Sequence, residues 1–295
     1  MNMADEKKLN PDKYEGLSIF RPPLCFELAG KEFTLVMDDG YDKHLKFIDE
    51  RTLAYGDPGK ELCYEYDCLK MDDRCYFVNF EERPLKTPRH GITLILDTRE
   101  YLVTAAEARL GLDPKFPRMP HVDIIFGAIE KPDGTIPHLR HGYTEDLAGK
   151  SIDWNYGSFN IAHVYQTERY YRVAFTPRAL ERIRKNNPAM MAGGTDEEGK
   201  PKKYEPPKAA YEDYMSAVKI RDGLYAVSLL ETNLCRRNGH GNSLFFLMNL
   251  KEMHDVGRSF GTNGEGEDEN YTFGAFGAWY DASGVMEMPG MYYIS

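Results

Sequence analysis

Short apolar runs broken by turns make up most of this chain. "LKFIDERTLAYG", "YFVNFEE", "GITLILD", "VDIIFGAIE", "HVYQTERYYRVAF", "LYAVSLLE" and "SLFFLMN" are rich in β-branched and aromatic residues. The turn signals "DDG", "PDG", "RDG" and "ASG" stand between them. Several runs alternate apolar and polar side chains, the period of a strand with one covered face. Helical patterns are scarce: "TAAEARLG" and "PRALERIRKNN" are the two candidates. The pattern predicts a mainly all-β protein of successive hairpins, its antiparallel sheets curled into barrels.

The runs recur. "YEYDCLKMDDRCYFVNFEE" from Tyr64 resembles "YEDYMSAVKIRDGLYAVSLLE" from Tyr211. Lys70 falls on Lys219, Asp73 on Asp222, Tyr76 on Tyr225 and Val78 on Val227. Glu81 or Glu82 falls on Glu231, and His90-Gly91 on His240-Gly241. Upstream, the segment from Gly30 matches that from Gly149, with Glu50-Arg51 on Glu168-Arg169; downstream, "FGAIEKPDG" matches "FGAWYDASG". An ordered series of this length predicts one unit used twice. The expected organisation is an N-terminal extension (1–16), a first barrel unit (17–142) and a second (143–295). The second holds an insertion at about 176–209, with a helix over "PRALERIRKNNP" and a surface loop over "GGTDEEGKPKKYEPPK".

Two tandem units with "GKEFTLVMDDG", "IRDGLYAVSLLE" and "HGNSLFFLMNL" resemble the MoaF family across nearly the whole chain. The resemblance implies tandem lipocalin-like (calycin) barrels, N-terminal and C-terminal, and a link to molybdenum cofactor biosynthesis. Lipocalin-like barrels also include phenolic acid decarboxylases and natural-product cyclases, but none of their site residues maps onto this sequence.

Bulk chemistry narrows the function. The 295 residues are 42% hydrophobic and 28% charged, as in a folded globular protein. They include 20 Tyr and 15 Phe, residues that favour strands and line ligand cavities. A net charge of -10 without a basic run argues against a nucleic-acid partner. No apolar run is long enough to span a membrane as a helix. The five cysteines form no CxxC pair and the N-terminus is charged, so a cytoplasmic protein with reduced thiols is expected. No Walker loop or dinucleotide fingerprint is present, and no cofactor is expected. His138 and His141 of "HLRHG", with His121 upstream, lack carboxylate or Cys partners at ligand spacing, so no metal is expected. Homo-oligomer formation is left open.

Candidate chemistry concentrates in the second unit. Tyr225, Val227, Leu229 and Glu231 share a strand face, and a hairpin across "TNLCRRNG" would bring Glu231 to His240. A carboxylate beside an imidazole forms a general acid/base pair. The alternative is a Glu–His pair on two surface strands. Period two places His163, Tyr165, Thr167 and Arg169 on one side of the next candidate strand. Arg169 would grip an anionic end, or else pair with a surface Glu. Copy one has Leu45 and Phe47 where copy two has His163 and Tyr165, which favours copy two for the site. The expected catalytic residues are His240, Glu231 and His163. The expected substrate-binding residues are Arg169, Tyr165, Tyr225 and Trp154. The function expected is a cofactor-free lyase, isomerase or cyclase on an aromatic or polyketide-like ligand. The alternatives are a non-catalytic carrier of the same ligand and an accessory protein of molybdenum cofactor assembly.

Overall fold

The structure is a computed structural model. It describes residues 15–82, 88–157, 159–177, 179, 181, 185, 192–195, 201–203, 209–263 and 266–283. Eight antiparallel strands close the first barrel in chain order: β1 (Glu32–Met37), β2 (Lys43–Phe47), β3 (Thr52–Gly56), β4 (Leu62–Asp72), β5 (Cys75–Glu82), β6 (Arg89–Asp97), β7 (Leu102–Leu110) and β8 (His121–Ile129). The pairing of β8 with β1 leaves no open edge. A short strand, β9 (Gly142–Tyr143), precedes the second barrel and pairs with β15. That barrel comprises β10 (Lys150–Asn155), β11 (Asn160–Tyr165), β12 (Tyr170–Ala174), β15 (Ala209–Arg221), β16 (Leu224–Leu230), β17 (Asn242–Asn249), β18 (His254–Thr262) and β19 (Asp268–Trp279). It closes through β12–β15 and β10–β19. Between β12 and β15, β13 (Ala192–Thr195) and β14 (Pro201–Lys203) form a separate ribbon. Pro177, Ala179, Glu181 and Lys185 are helical. The rest of the expected insertion largely lies outside the described residues. Among the described residues no helix is long and apolar enough to cross a membrane.

The duplication is visible in the backbone. Gly30 donates to the Phe47 carbonyl and Gly149 to that of Tyr165, both at 2.8 Å. Tyr66 donates to Arg51 at 2.9 Å and Met215 to Arg169 at 2.7 Å. Side chains repeat too. Lys70 and Tyr76 both reach Glu27, at 2.8 and 2.9 Å, and Lys219 and Tyr225 reach Asp146 at the same two distances. Each trio ties the segment before its first barrel strand to the end of the barrel opposite the β5–β6 or β16–β17 connection.

Two matches slip by two residues. The ladders pair Gly91 with Glu81 and Ser243 with Leu230, so Asn242, not His240, takes the place of His90. Likewise Leu102 pairs with Ala128 and His254 with Phe276, which places Phe126 opposite the position of Gly274 rather than of Phe276. The expected helix "TAAEARLG" is strand β7. It is hydrogen-bonded on both sides, and those pairings override the helix propensity of its alanines.

The barrels share a wall. Leu69, Phe77 and Ile95 on the outside of the first pack with Val218, Ala226 and Leu247, their equivalents in the second. Strands here are buried on both faces, lumen and seam, and this explains the mostly apolar runs "ITLIL" and "SLFFLM". One edge of the seam is polar. The fully buried Arg258 donates to Asn270 Oδ1 at 3.1 Å and Thr93 Oγ1 at 3.2 Å. Asn270 donates to Glu81, which is held bidentately by Arg89 at 2.8 and 3.0 Å. Arg89 also donates to the Gly261 carbonyl across the seam at 3.1 Å. Both guanidinium groups lie against the Phe260 ring, 4.6 and 4.5 Å from its centroid. Burial lowers the Arg258 pKa to about 9, so it stays charged at neutral pH.

Gly91 makes room for that charge: a Cβ there would lie 1.7 Å from Arg258 Nη2. Gly91→Ala is therefore expected to destabilise the protein by about 2 kcal/mol, because a buried guanidinium must leave its hydrogen bonds. Against an Arg258→Ala background the same change should cost less than about 0.5 kcal/mol. Urea unfolding of the four members of this cycle checks it; additive losses would contradict the close approach.

Candidate functional site

A cavity of about 190 Å³ occupies one end of the second barrel, beside the β10–β11 turn and the β16–β17 connection. Leu17 from the N-terminal segment lines it, with an aromatic wall that includes Tyr156, Phe246, Tyr271 and Phe273. Four polar side chains stand among these: His163, Glu231, Asn242 and Ser259. Apolar walls with a few converging polar groups are the usual make-up of a small-molecule site.

His163 lies on β11, opposite Ile152 on β10 and Val173 on β12. It is 4% exposed, with the rings of Phe246, Tyr171 and Tyr165 at 5.6, 6.1 and 6.3 Å. Burial pushes its pKa down to about 3, so the imidazole is neutral at physiological pH. Glu231 follows β16. Its Oε2 accepts the Asn242 backbone N–H at 2.9 Å, and its own N–H bonds the Asn242 carbonyl at 3.0 Å. Asn242 Oδ1 and Ser259 Oγ are buried and have no protein partner among the described residues. Deeper in the lumen, burial drives the Asp255 carboxyl well above the usual carboxylate range, beside the Tyr156 hydroxyl.

Of the residues expected from sequence, His163 and Glu231 share this cavity. Tyr165 and Trp154 form the core behind it, fully buried, with the Tyr165 hydroxyl 3.5 Å from Met248 Sδ. Tyr225 stands at the opposite end of the barrel, bonded to Asp146. Arg169 is outside. The chain turns after Tyr165, and Gln166–Arg169 form the hairpin, so the strand period does not carry from His163 to Arg169. Its side chain is 78% exposed, 3.7 Å from Glu168, on a separate surface groove. His240 does not line the cavity either. "TNLCRRN" is a helix, Thr232–Asn238, ended by Gly239 in the left-handed conformation (φ 79°). His240 is half-buried just past that end, and the hairpin register expected to face it towards Glu231 does not exist.

The equivalent end of the first barrel carries a wider bowl of about 620 Å³. By ladder register Glu82 stands where Glu231 does, His90 where Asn242 does, Ile92 where Leu244 does and Glu107 where Ser259 does. Each copy therefore builds a mouth cavity at the same place with different chemistry. Sequence reasoning missed Asn242 and Ser259, which carry no motif, and Glu107, hidden in a segment with a helical pattern.

The His163 environment makes a pH-dependent prediction. Its folded pKa lies below the unfolded value of 6.5, so the unfolded chain takes up the proton first as pH falls. Stability is lost from about pH 6.5 down towards the folded value of about 3. By pH 5 the loss from this residue should reach about 2 kcal/mol. In urea melts His163→Phe should remove it, so the variant gains on the wild type between pH 7.5 and 5. Parallel pH profiles would show that His163 is not buried neutral.

Residues 14–111, which span β1 to β7, match the family model described as MoaF N-terminal domain. No curated protein matches the chain. The matched unit is followed by a second eight-stranded barrel of the same strand order. Over residues 14–111 the chain is thus similar to the MoaF N-terminal domain, and the second barrel repeats that architecture outside the matched segment.

Proposed function

We propose that this is a small-molecule-binding protein whose second barrel takes a compact aromatic molecule carrying one or two polar substituents. The observation behind this reading is the set of unspent hydrogen-bonding atoms on Asn242 and Ser259, beside a neutral His163, inside an aromatic wall. A ligand hydroxyl or carbonyl would satisfy buried groups that otherwise cost free energy. The volume of about 190 Å³ suits one or two fused rings rather than a long polyketide chain.

Binding is favoured over acid/base turnover as a lyase, isomerase or cyclase. An imidazole whose pKa is about 3 takes a proton poorly near neutrality, where a general base works best with a pKa near the operating pH. The neutral ring instead offers one donor and one acceptor to a polar substituent.

2-Naphthol is a suitable probe, its fluorescence reporting transfer into an apolar site. Ser259→Phe, which fills the cavity, should weaken binding at least about tenfold. His163→Phe keeps the ring but removes both hydrogen-bonding atoms, and should weaken binding by roughly three- to tenfold. Arg169→Ala, on the outer groove, should leave affinity within about twofold. Unchanged binding in Ser259→Phe would place the ligand elsewhere. A strong loss in Arg169→Ala would return the site to the outer groove.

A further inference from the structure

At the mouth of the first barrel, Glu82, His90 and Arg109 share one row of the ladder, and Glu107 stands in the row beneath. His90 Nδ1 is 2.8 Å from Glu82 Oε2, and Nε2 is 3.3 Å from Glu107 Oε2. Burial alone would lower the His90 pKa, but the hydrogen bonds to Glu107 and Glu82 outweigh it and raise the pKa. The bond to His90 in turn lowers both carboxylates. Tyr64 donates to Glu82 Oε1 at 3.2 Å, and Arg109 bonds Glu107 and Asp123. Tyr55 lines the same bowl. It is 3% exposed, and its hydroxyl makes no hydrogen bond among the described residues.

We propose that this bowl is a second ligand site, for a ring compound whose substituents donate hydrogen bonds, an amine or hydroxyl rather than an anion. The cations at its floor are already committed: His90 to two glutamates, Arg109 to Glu107 and Asp123. Lys43 is held by Asp57 at 2.7 Å, and Lys60 stands at the exposed rim. An incoming anion would meet Glu82 and Glu107 at the floor, where every cation is already paired, and only Lys60 at the exposed rim to offset them. An incoming donor would meet carboxylate oxygens and the Tyr55 hydroxyl. Ile92, Ile125 and the Tyr64 ring, which stacks on Phe80 at 5.5 Å, supply the apolar wall for a ring. At the equivalent positions the second barrel carries uncharged Asn242 and Ser259. The two mouths thus differ in the ligand class they suit, and this inference stands independently of the second-barrel reading.

Three probes of one shape test it on the full chain by calorimetry: tyramine, tyrosol and 4-hydroxyphenylacetate. The expected result is binding of tyramine and tyrosol, with 4-hydroxyphenylacetate at least about tenfold weaker. Glu107→Gln should weaken tyramine at least about tenfold and Tyr55→Phe several-fold. Ser259→Phe closes the other cavity, so titrations repeated in that background read the first bowl alone and should keep both effects. Tyr55→Phe removes only a hydroxyl without a protein partner; it keeps the fold and decides the matter should Glu107→Gln melt early. Equal or tighter binding of the anion overturns the proposal. So does the absence of millimolar binding by all three probes, or tyramine affinity indifferent to Tyr55→Phe.

Discussion

The wall shared by the two barrels constrains everything else. A barrel wall normally meets solvent on its outer side and can be polar there. Here the outer faces of β4–β7 and β15–β18 meet each other, so these strands are apolar on both faces. The seam uses equivalent residues from both copies, much as a two-fold dimer interface uses one patch twice. Its polar edge breaks that symmetry. Arg258 has Ala106 as its equivalent, and it fits only because Gly91 lacks a side chain. Its Nε and Nη1 bond Asn270 and Thr93, so moving the guanidinium would break hydrogen bonds made in a buried place.

A fixed seam frees the barrel ends to diverge. Both copies keep the acid–Lys–Tyr trio at one end and a mouth cavity at the other. In the first copy the mouth is a chain of charge, Glu82–His90–Glu107–Arg109. In the second, Asn and Ser replace His and Glu, and a histidine arrives from another strand, where the first copy has Leu45. Desolvation without a counter-charge keeps that histidine neutral; carboxylates on both sides raise the pKa of the other one. The same backbone position thus supports opposite electrostatics.

Much of the fold was legible because strand period, turn residues and the ordered repeat are local signals. The site was legible in part. His163 stood out as a polar residue where the first copy has Leu45, and Glu231 as the end of a repeated run. The proposed pairing of Glu231 with His240 failed because "TNLCRRNG" closes as a helix, and a two-residue slip in register cannot be seen by aligning "HG" with "HG". The Glu–His pair does exist, in the first copy, between Glu82 and His90. Arg169 was misplaced because a strand period was carried through a hairpin turn. Ser259 and Glu107 became visible only when the ladders set their neighbours.

The opposed electrostatics of the two mouths can be read directly from the ring nitrogens of His163 and His90 by NMR titration of the ¹⁵N-labelled protein. The expected result is a His163 imidazole that stays neutral from pH 8 to pH 5, and a His90 ring that remains protonated above its ordinary pKa of 6.5. A His163 that takes up its proton near pH 6.5, or a His90 that loses its proton well below it, would contradict the division of the duplicated barrel into a neutral and a charged mouth.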